Sequence, residues 1–109
     1  MKRQRFEQLL NEAVEDLPEE FRSQLVNVVI TVDGRHQDED LYGLYEGTPL
    51  TERGADSPLF PDRIWIFQEP IERDCRSDSE IRKEIRLTIM HEIAHFFGMN
   101  DDELENLGY

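Results

Sequence analysis

The sequence is poor in the residues that mark several classes of protein. Its single cysteine, Cys75, leaves no internal disulfide available in 109 residues, which disfavours an oxidising compartment. Basic residues are also few, with 12 Lys and Arg against 25 Asp and Glu, and the formal net charge is −13. So acidic a chain lacks the basic footprint that nucleic acid phosphates and anionic membranes require. We therefore expect neither of them as a partner.

Long apolar runs are missing as well. No window approaches the roughly 18 apolar residues of a membrane-spanning helix. The first residues carry charges, but no apolar stretch and no small-residue cleavage site follows them, so we expect a cytoplasmic protein. The length allows one domain over residues 1–109, and an apolar share of 38% is enough for one small core.

Helices are predicted at both ends of the chain. Apolar residues repeat every three or four positions from Lys2 to Asp16, which predicts an amphipathic helix. Proline fits only the first turn of a helix, so a second, short helix is expected from Pro18 to Gln24. Ser77 to Glu80 form a capping box, and the helix that they open runs from about Asp78 to Phe97. A last helical turn is expected from Asp101 to Leu107.

Three strands are predicted in the middle of the chain. Val26 to Val32 is rich in β-branched residues, Leu41 to Glu46 is a shorter candidate, and Arg63 to Gln68 combines isoleucines with aromatic residues. Pro70 is expected to stop the last strand, and Gly47 to Pro61 is expected to be a long loop, a length typical of functional or mobile segments. The element order predicts an α+β fold.

The segment His91-Glu92-Ile93-Ala94-His95 is the most informative part of the sequence. Residues four apart stack on one side of a helix, about 6 Å apart at Cβ, so His91 and His95 can bind one Zn²⁺. Glu92 follows the first histidine and points beside the metal, where a general base for a metal-bound water must lie. This spacing predicts a zinc site.

A catalytic zinc takes three protein ligands and leaves one position for water. Gly98 can adopt a positive φ and turn the chain out of the helix. Asp101 then follows His91 by ten residues and can offer a carboxylate as the third ligand. This is the spacing of the extended zincin motif, with Asp in place of the commoner His. The neighbouring Asp102 and Glu103 are alternatives that this offset disfavours.

With these residues the sequence resembles the small bacterial zincin-like metallopeptidases, also called minimal zincins. The resemblance covers most of the chain and rests on HEIAHFFGMNDDEL, LYGLYEGTPLTER and PDRIWIFQEPI. It implies His91, His95 and Asp101 as zinc ligands and Glu92 as the catalytic base. It also implies a zincin-like fold, in which a small mixed sheet of three strands packs on the motif helix, with further helices at the N-terminus.

The function expected from the sequence is that of a zinc-dependent peptidase. Zinc lowers the pKa of its bound water, and Glu92 accepts a proton as that water attacks a peptide carbonyl. A peptide or protein substrate is expected to lie along an exposed strand edge, with Arg63 to Gln68 as the candidate strand. The sequence does not separate this activity from the hydrolysis of a non-peptide amide.

The alternative function is a metal-binding interaction or regulatory module with a non-catalytic site. Such a site would be closed by a fourth protein ligand, for example His36 or Glu103. Other residues carry weaker expectations. His36 and Cys75 are more simply a solvated loop residue and a bystander. Three tyrosines could donate a phenol to a tetrahedral intermediate, with packing as the simpler role: Tyr42, Tyr45 and Tyr109.

Overall fold

The computed structural model describes residues 1–47, 61–98 and 101–106, with the main chain alone at 101, 103 and 104. In chain order the elements are α1 (Arg3–Glu15), α2 (Glu19–Arg22), a 3-10 turn (Ser23–Leu25), β1 (Val28–Asp33), β2 (Gly43–Glu46), β3 (Asp62–Phe67), α3 (Gln68–Asp74), α4 (Asp78–Phe96) and α5 (Asp101–Asn106). The protein is mixed α+β, as expected. The helices of this described part are all too short or too polar to span a bilayer. The predicted loop from Gly47 to Pro61 falls, apart from its ends, outside the described residues.

Helix α1 forms where the sequence predicts it. Its buried side chains Phe6, Leu9, Leu10 and Ala13 lie on one side, and the other side is exposed. That apolar side packs against α4. Fully burying one such side chain contributes roughly 1.5–3 kcal/mol, so the contact between these two helices is a main source of stability.

The sheet combines parallel and antiparallel pairing, in the order β1-β3-β2. Strand β1 runs parallel to β3, with Ile30 opposite Ile64, and β2 runs antiparallel to β3, with Tyr45 also opposite Ile64. The central position of β3 overturns the prediction that Arg63 to Gln68 offers an exposed edge. The pattern of apolar residues shows which side chains point inward, but it carries no information on which strand lies between the others.

Strand β1 begins two residues later than predicted. Asn27 has a φ of 64°, a left-handed conformation that Asn tolerates better than most residues. Because this turn interrupts extended backbone, Val26 stays outside the sheet and is 81% exposed. The Asn27 carbonyl nevertheless accepts the N–H of Asp62, which helps to fix the parallel register at the start of β3.

The core lies between one face of the sheet and the helices α1 and α4. Ile64 and Ile66 from β3 are fully buried there. Helix α4 contacts α1 on one side and β2 and β3 on the other, so it is buried more broadly than a surface helix. Its buried apolar residues are Ile81, Ile85, Ile89, Met90, Ile93 and Ala94.

Helix α3 is an element that the sequence did not predict. Pro70 was expected to stop β3, but the strand ends at Phe67 and Pro70 lies inside α3. As the third residue of the helix, it occupies the first turn, where main-chain N–H groups have no partner within the helix and the missing N–H costs little. Gln68, predicted as the end of the strand, is instead the buried first residue of this helix.

The two ends of α4 agree closely with the prediction. The Ser77 hydroxyl accepts the N–H of Glu80 at 3.1 Å, and the Glu80 carboxylate accepts the N–H of Arg76 rather than that of Ser77. At the other end Gly98 has a φ of 82° and donates its N–H to the His95 carbonyl. The predicted positive φ at Gly98 is confirmed, and the chain leaves the helix axis there.

Candidate metal centre

His91 and His95 lie side by side on α4. Their rings are nearly parallel, at 12°, with centroids 6.2 Å apart, and both residues are exposed. This follows from their spacing, since residues four apart share one side of a helix. Both line a cleft of about 390 Å³ between α4 and the segment that leads into β2. Two imidazoles arranged in this way can bind the same ion.

Glu92 lines the same cleft but turns toward the sheet. Its Oε2 accepts the main-chain N–H of Tyr45 at 3.2 Å. The carboxylate is half-buried, and this burial raises the pKa of Glu92, while the Tyr45 N–H and the two nearby histidines oppose the change. A carboxylate with a raised pKa beside a pair of imidazoles is suited to accept a proton near neutral pH.

The third predicted ligand, Asp101, follows the turn at Gly98. The main chain of Asp101 begins α5, directly after the turn that Gly98 makes, but its side chain lies outside the described residues, as do Asn100 and the side chain of Glu103. Among the side chains that are described, no group of three metal-binding residues forms. The assignment of Asp101 as a ligand therefore stays a prediction.

A network of polar side chains forms the wall of the cleft opposite α4. Tyr42 donates its hydroxyl to Asp74, and this hydrogen bond raises the pKa of Tyr42 to about 12. Arg73 donates two hydrogen bonds to Asp74, at 2.8 and 2.9 Å, and two to Asp40, at 3.0 and 3.1 Å. Arg73 also holds the pKa of Asp74 well below its usual range. The phenol proton of Tyr42 is thus directed to Asp74.

The remaining candidates are distributed over the molecule. The Nδ1 atom of His36 accepts two main-chain N–H groups of its own loop, at 3.2 and 3.0 Å. Its ring lies edge-on to Phe67, and His36 is not among the residues that line the histidine cleft. Tyr45 donates its hydroxyl to Asp62. Cys75 is a free thiol packed against the core, and burial raises its pKa. Tyr109 lies outside the described residues.

Sequence reasoning missed three features of this cleft. The Tyr45 main-chain N–H carries no sequence signal, because every residue except proline has one. The network of Tyr42, Arg73 and Asp74 joins segments about 30 residues apart in sequence. Thr88, which lines the cleft, could have been found, because it lies one helical turn before Glu92.

Comparison with known families gives a match. The family model of the zincin-like metallopeptidases matches residues 12–109, which is most of the chain, and the protein therefore belongs to this family. Membership implies zinc binding and peptidase chemistry in general terms. No curated protein is significantly similar to the chain.

Proposed function

We propose that the protein is a zinc-dependent peptidase whose metal is held by His91, His95 and Asp101 and whose general base is Glu92. The observation that carries this proposal is the common cleft onto which two parallel imidazoles and one half-buried carboxylate open. Its substrate is a peptide or protein. The charge of −13 supports the absence of nucleic acid and membrane partners.

The donor set suits zinc. Two imidazole nitrogens and one carboxylate oxygen are ligands that zinc accepts, and three protein ligands are typical of catalytic sites. Both histidines are exposed to the cleft, so an ion can reach them without unfolding the helix. When bound, zinc supplies Lewis-acid chemistry, which polarises a substrate carbonyl and makes water a better nucleophile.

Glu92 would perform the proton transfers. One of its oxygens is engaged by the Tyr45 N–H, and the other would accept a proton from the attacking water. The protonated carboxyl group then donates that proton to the leaving amine. Burial of the carboxylate favours this cycle, because a raised pKa brings the two protonation states closer in free energy at neutral pH.

The substrate is proposed to lie along the entry to β2. In the described sheet β1 and β2 form the edges, and Leu41, Tyr42 and Gly43 line the cleft opposite the histidines. A peptide in extended conformation can pair with such an edge through its main chain. This placement replaces the predicted one on β3, whose two sides are taken by β1 and β2.

The experiment that tests the function is cleavage of a peptide library by the zinc-loaded protein and by its Glu92→Gln variant. Gln keeps the size of the side chain and removes the base, so we expect zinc to stay bound and turnover to fall by roughly 10² or more. Glu7→Gln is the matched control, because it makes the same chemical change on the exposed side of α1. Equal turnover by wild type and Glu92→Gln would refute the role of Glu92. A zinc-loaded wild type that cleaves no peptide would favour the non-catalytic alternative.

A further inference from the structure

Strand β2 and helix α4 run alongside each other with matched spacing. Gly43 lies against Thr88, Tyr45 contacts Glu92, and Gly47 lies against Phe96, so each step of two strand residues corresponds to four helix residues. Two strand residues cover about 6.7 Å and four helix residues about 6.0 Å. These lengths are close enough for the two elements to stay in register over three contacts.

Glycine is required at the first of these contacts. A Cβ on Gly43 would lie 2.6 Å from Cγ2 of Thr88 and 2.9 Å from the main-chain oxygen of Trp65. Thr88 is buried and the Trp65 carbonyl belongs to the central strand, so neither atom can move easily. Even an alanine at position 43 would push the strand away from the helix.

The last contact is similarly close. A Cβ on Gly47 would lie 2.5 Å from Cε2 and 2.8 Å from Cζ of Phe96. The Phe96 ring is 46% exposed and can move more easily than Thr88. It is stacked on the ring of Tyr45, however, with centroids 4.0 Å apart, so its displacement would disturb Tyr45 as well. The two glycines therefore allow the middle residue of the contact, Tyr45, to lie against α4.

The Tyr45 main chain faces the helix because of its place in the sheet. The Tyr42 carbonyl accepts the N–H of Phe67 in β3, and main-chain groups along an antiparallel edge strand alternate between the partner strand and the outside. The N–H of Tyr45 accordingly points outward, where it donates to Oε2 of Glu92. The strand thus presents a donor that the sheet itself does not use.

We propose that Tyr45 is a positioning residue for Glu92, and that Gly43 and Gly47 serve catalysis by letting β2 approach α4 closely enough for this hydrogen bond. The proposal rests on the proposed function, since it assigns to the bond the task of fixing the general base. One carboxylate oxygen is held by the strand, which orients the other for proton transfer. The rigid main chain of a sheet performs this task better than a mobile side chain would.

The first test compares three glycine variants. Gly43→Ala should lower kcat of the zinc-loaded protein by about ten- to a hundredfold, and Gly47→Ala by less, because the exposed Phe96 ring can give way. Zinc affinity should be unchanged in both variants, and KM should be unchanged in Gly47→Ala, since Gly47 does not line the cleft. Gly34→Ala is the control, because its Cβ would meet only the end of the flexible Glu69 side chain. A normal kcat in folded Gly43→Ala protein would overturn the positioning role while leaving the peptidase function standing.

The second test needs no activity. Amide hydrogen exchange of zinc-free protein reports directly on the Tyr45 N–H, and Glu92→Ala should accelerate its exchange by about tenfold or more. Exchange of the Leu44 N–H, which the alternation along β2 directs toward β3, should stay unchanged. Equal Tyr45 exchange in wild type and variant would overturn the proposal, even if Gly43→Ala failed to fold. Faster exchange in a protein that cleaves no peptide would support the contact but reject the proposed function, and with it the catalytic role given to the contact.

Discussion

Helices α1 and α4 pack against each other but use their surfaces differently. Helix α1 buries one side, and its remaining surface is solvated. Helix α4 contacts α1 on one side and the sheet on another, and its last two turns carry His91, Glu92 and His95 along the cleft. A helix that the fold holds on two sides gives the histidines a fixed separation, which an ion-binding pair requires.

This difference separates the residues that stabilise the fold from the residues that form the cleft. On α4, apolar residues lie between the cleft residues in sequence. Ile93 and Ala94, for example, lie between Glu92 and His95, and both are almost fully buried. Helix α1 carries no cleft residue. Changes on α1 should therefore alter folding alone, whereas changes on α4 should alter metal binding or catalysis according to the side on which they fall.

The largest effect is expected from removing a histidine. His91→Ala or His95→Ala leaves too few ligands, so zinc affinity should fall by about a thousandfold or more. Because both residues are exposed, the unfolding free energy of the zinc-free protein should change by no more than about 0.5 kcal/mol. Titration calorimetry and denaturant unfolding measure the two quantities, with Lys83→Ala as the control on α4. Stoichiometric zinc in a double histidine variant would disprove the site.

A cavity beside α1 should lower stability and leave zinc binding unchanged, which is the reverse of the effect expected for the histidine variants. Leu9 is fully buried against the core, so Leu9→Ala should lower the unfolding free energy by about 2–5 kcal/mol. Zinc stoichiometry should remain the same at temperatures where the variant is folded. Asn11→Ala, on the exposed side of α1, should change the unfolding free energy by about 0.5 kcal/mol or less. Weakened zinc binding by folded Leu9→Ala protein would show that α1 also shapes the cleft.

The end of α4 offers a test of backbone conformation. Gly98 has a positive φ, and among the described residues no atom lies within 4 Å of a Cβ placed there, so we expect the effect of a side chain to come from the backbone and not from crowding. Gly98→Val should lower stability or zinc affinity by at least about 1–2 kcal/mol. Gly98→Asn should retain most of both, since Asn tolerates this region. If the Gly98→Val and Gly98→Asn variants have the same unfolding free energy and the same zinc affinity, a residue that tolerates positive φ is not needed at this turn.

The smallest effect is expected at the start of α4. Ser77→Ala removes the oxygen that accepts the Glu80 N–H, which should lower the unfolding free energy by about 1 kcal/mol. Zinc affinity should not change, because the cap lies more than three turns from His91. The neighbouring exposed Ser79→Ala serves as the control in the same denaturation experiment. A loss of zinc affinity in Ser77→Ala would mean that the two ends of α4 are not independent.

The sequence predicted the parts of this structure that depend on local pattern. The extents of α1 and α4, the serine cap and the positive φ of Gly98 all follow from short-range spacing and from the conformational preferences of single residues. Helix α3 was missed because Pro70 was interpreted as a terminator of β3, although proline is equally compatible with a first helical turn. One residue type thus had two local interpretations, and the structure has the helical one, with Gln68 as its buried first residue.

Long-range features were predicted less well. The central place of β3 depends on pairing between strands far apart in sequence, and the residues of Arg63 to Gln68 carry no sign of it. The His91 and His95 pair was found because helical geometry alone brings the two rings together. The hydrogen bond from Tyr45 to Glu92 was not predicted. It depends on the position of β2 and on a main-chain donor, which does not depend on the type of residue.

Strand β3 is the middle strand of the sheet, yet it follows both of its neighbours in the chain. Strands β1 and β2 do not pair with each other, so neither gains its sheet hydrogen bonds until β3 has been synthesised. Pairing between segments this far apart also forms slowly compared with helices. Helix α4 comes later in the chain than β3, and the two walls of the cleft therefore meet only once α4 has formed. A nascent chain in which α4 has not yet been synthesised has no such cleft.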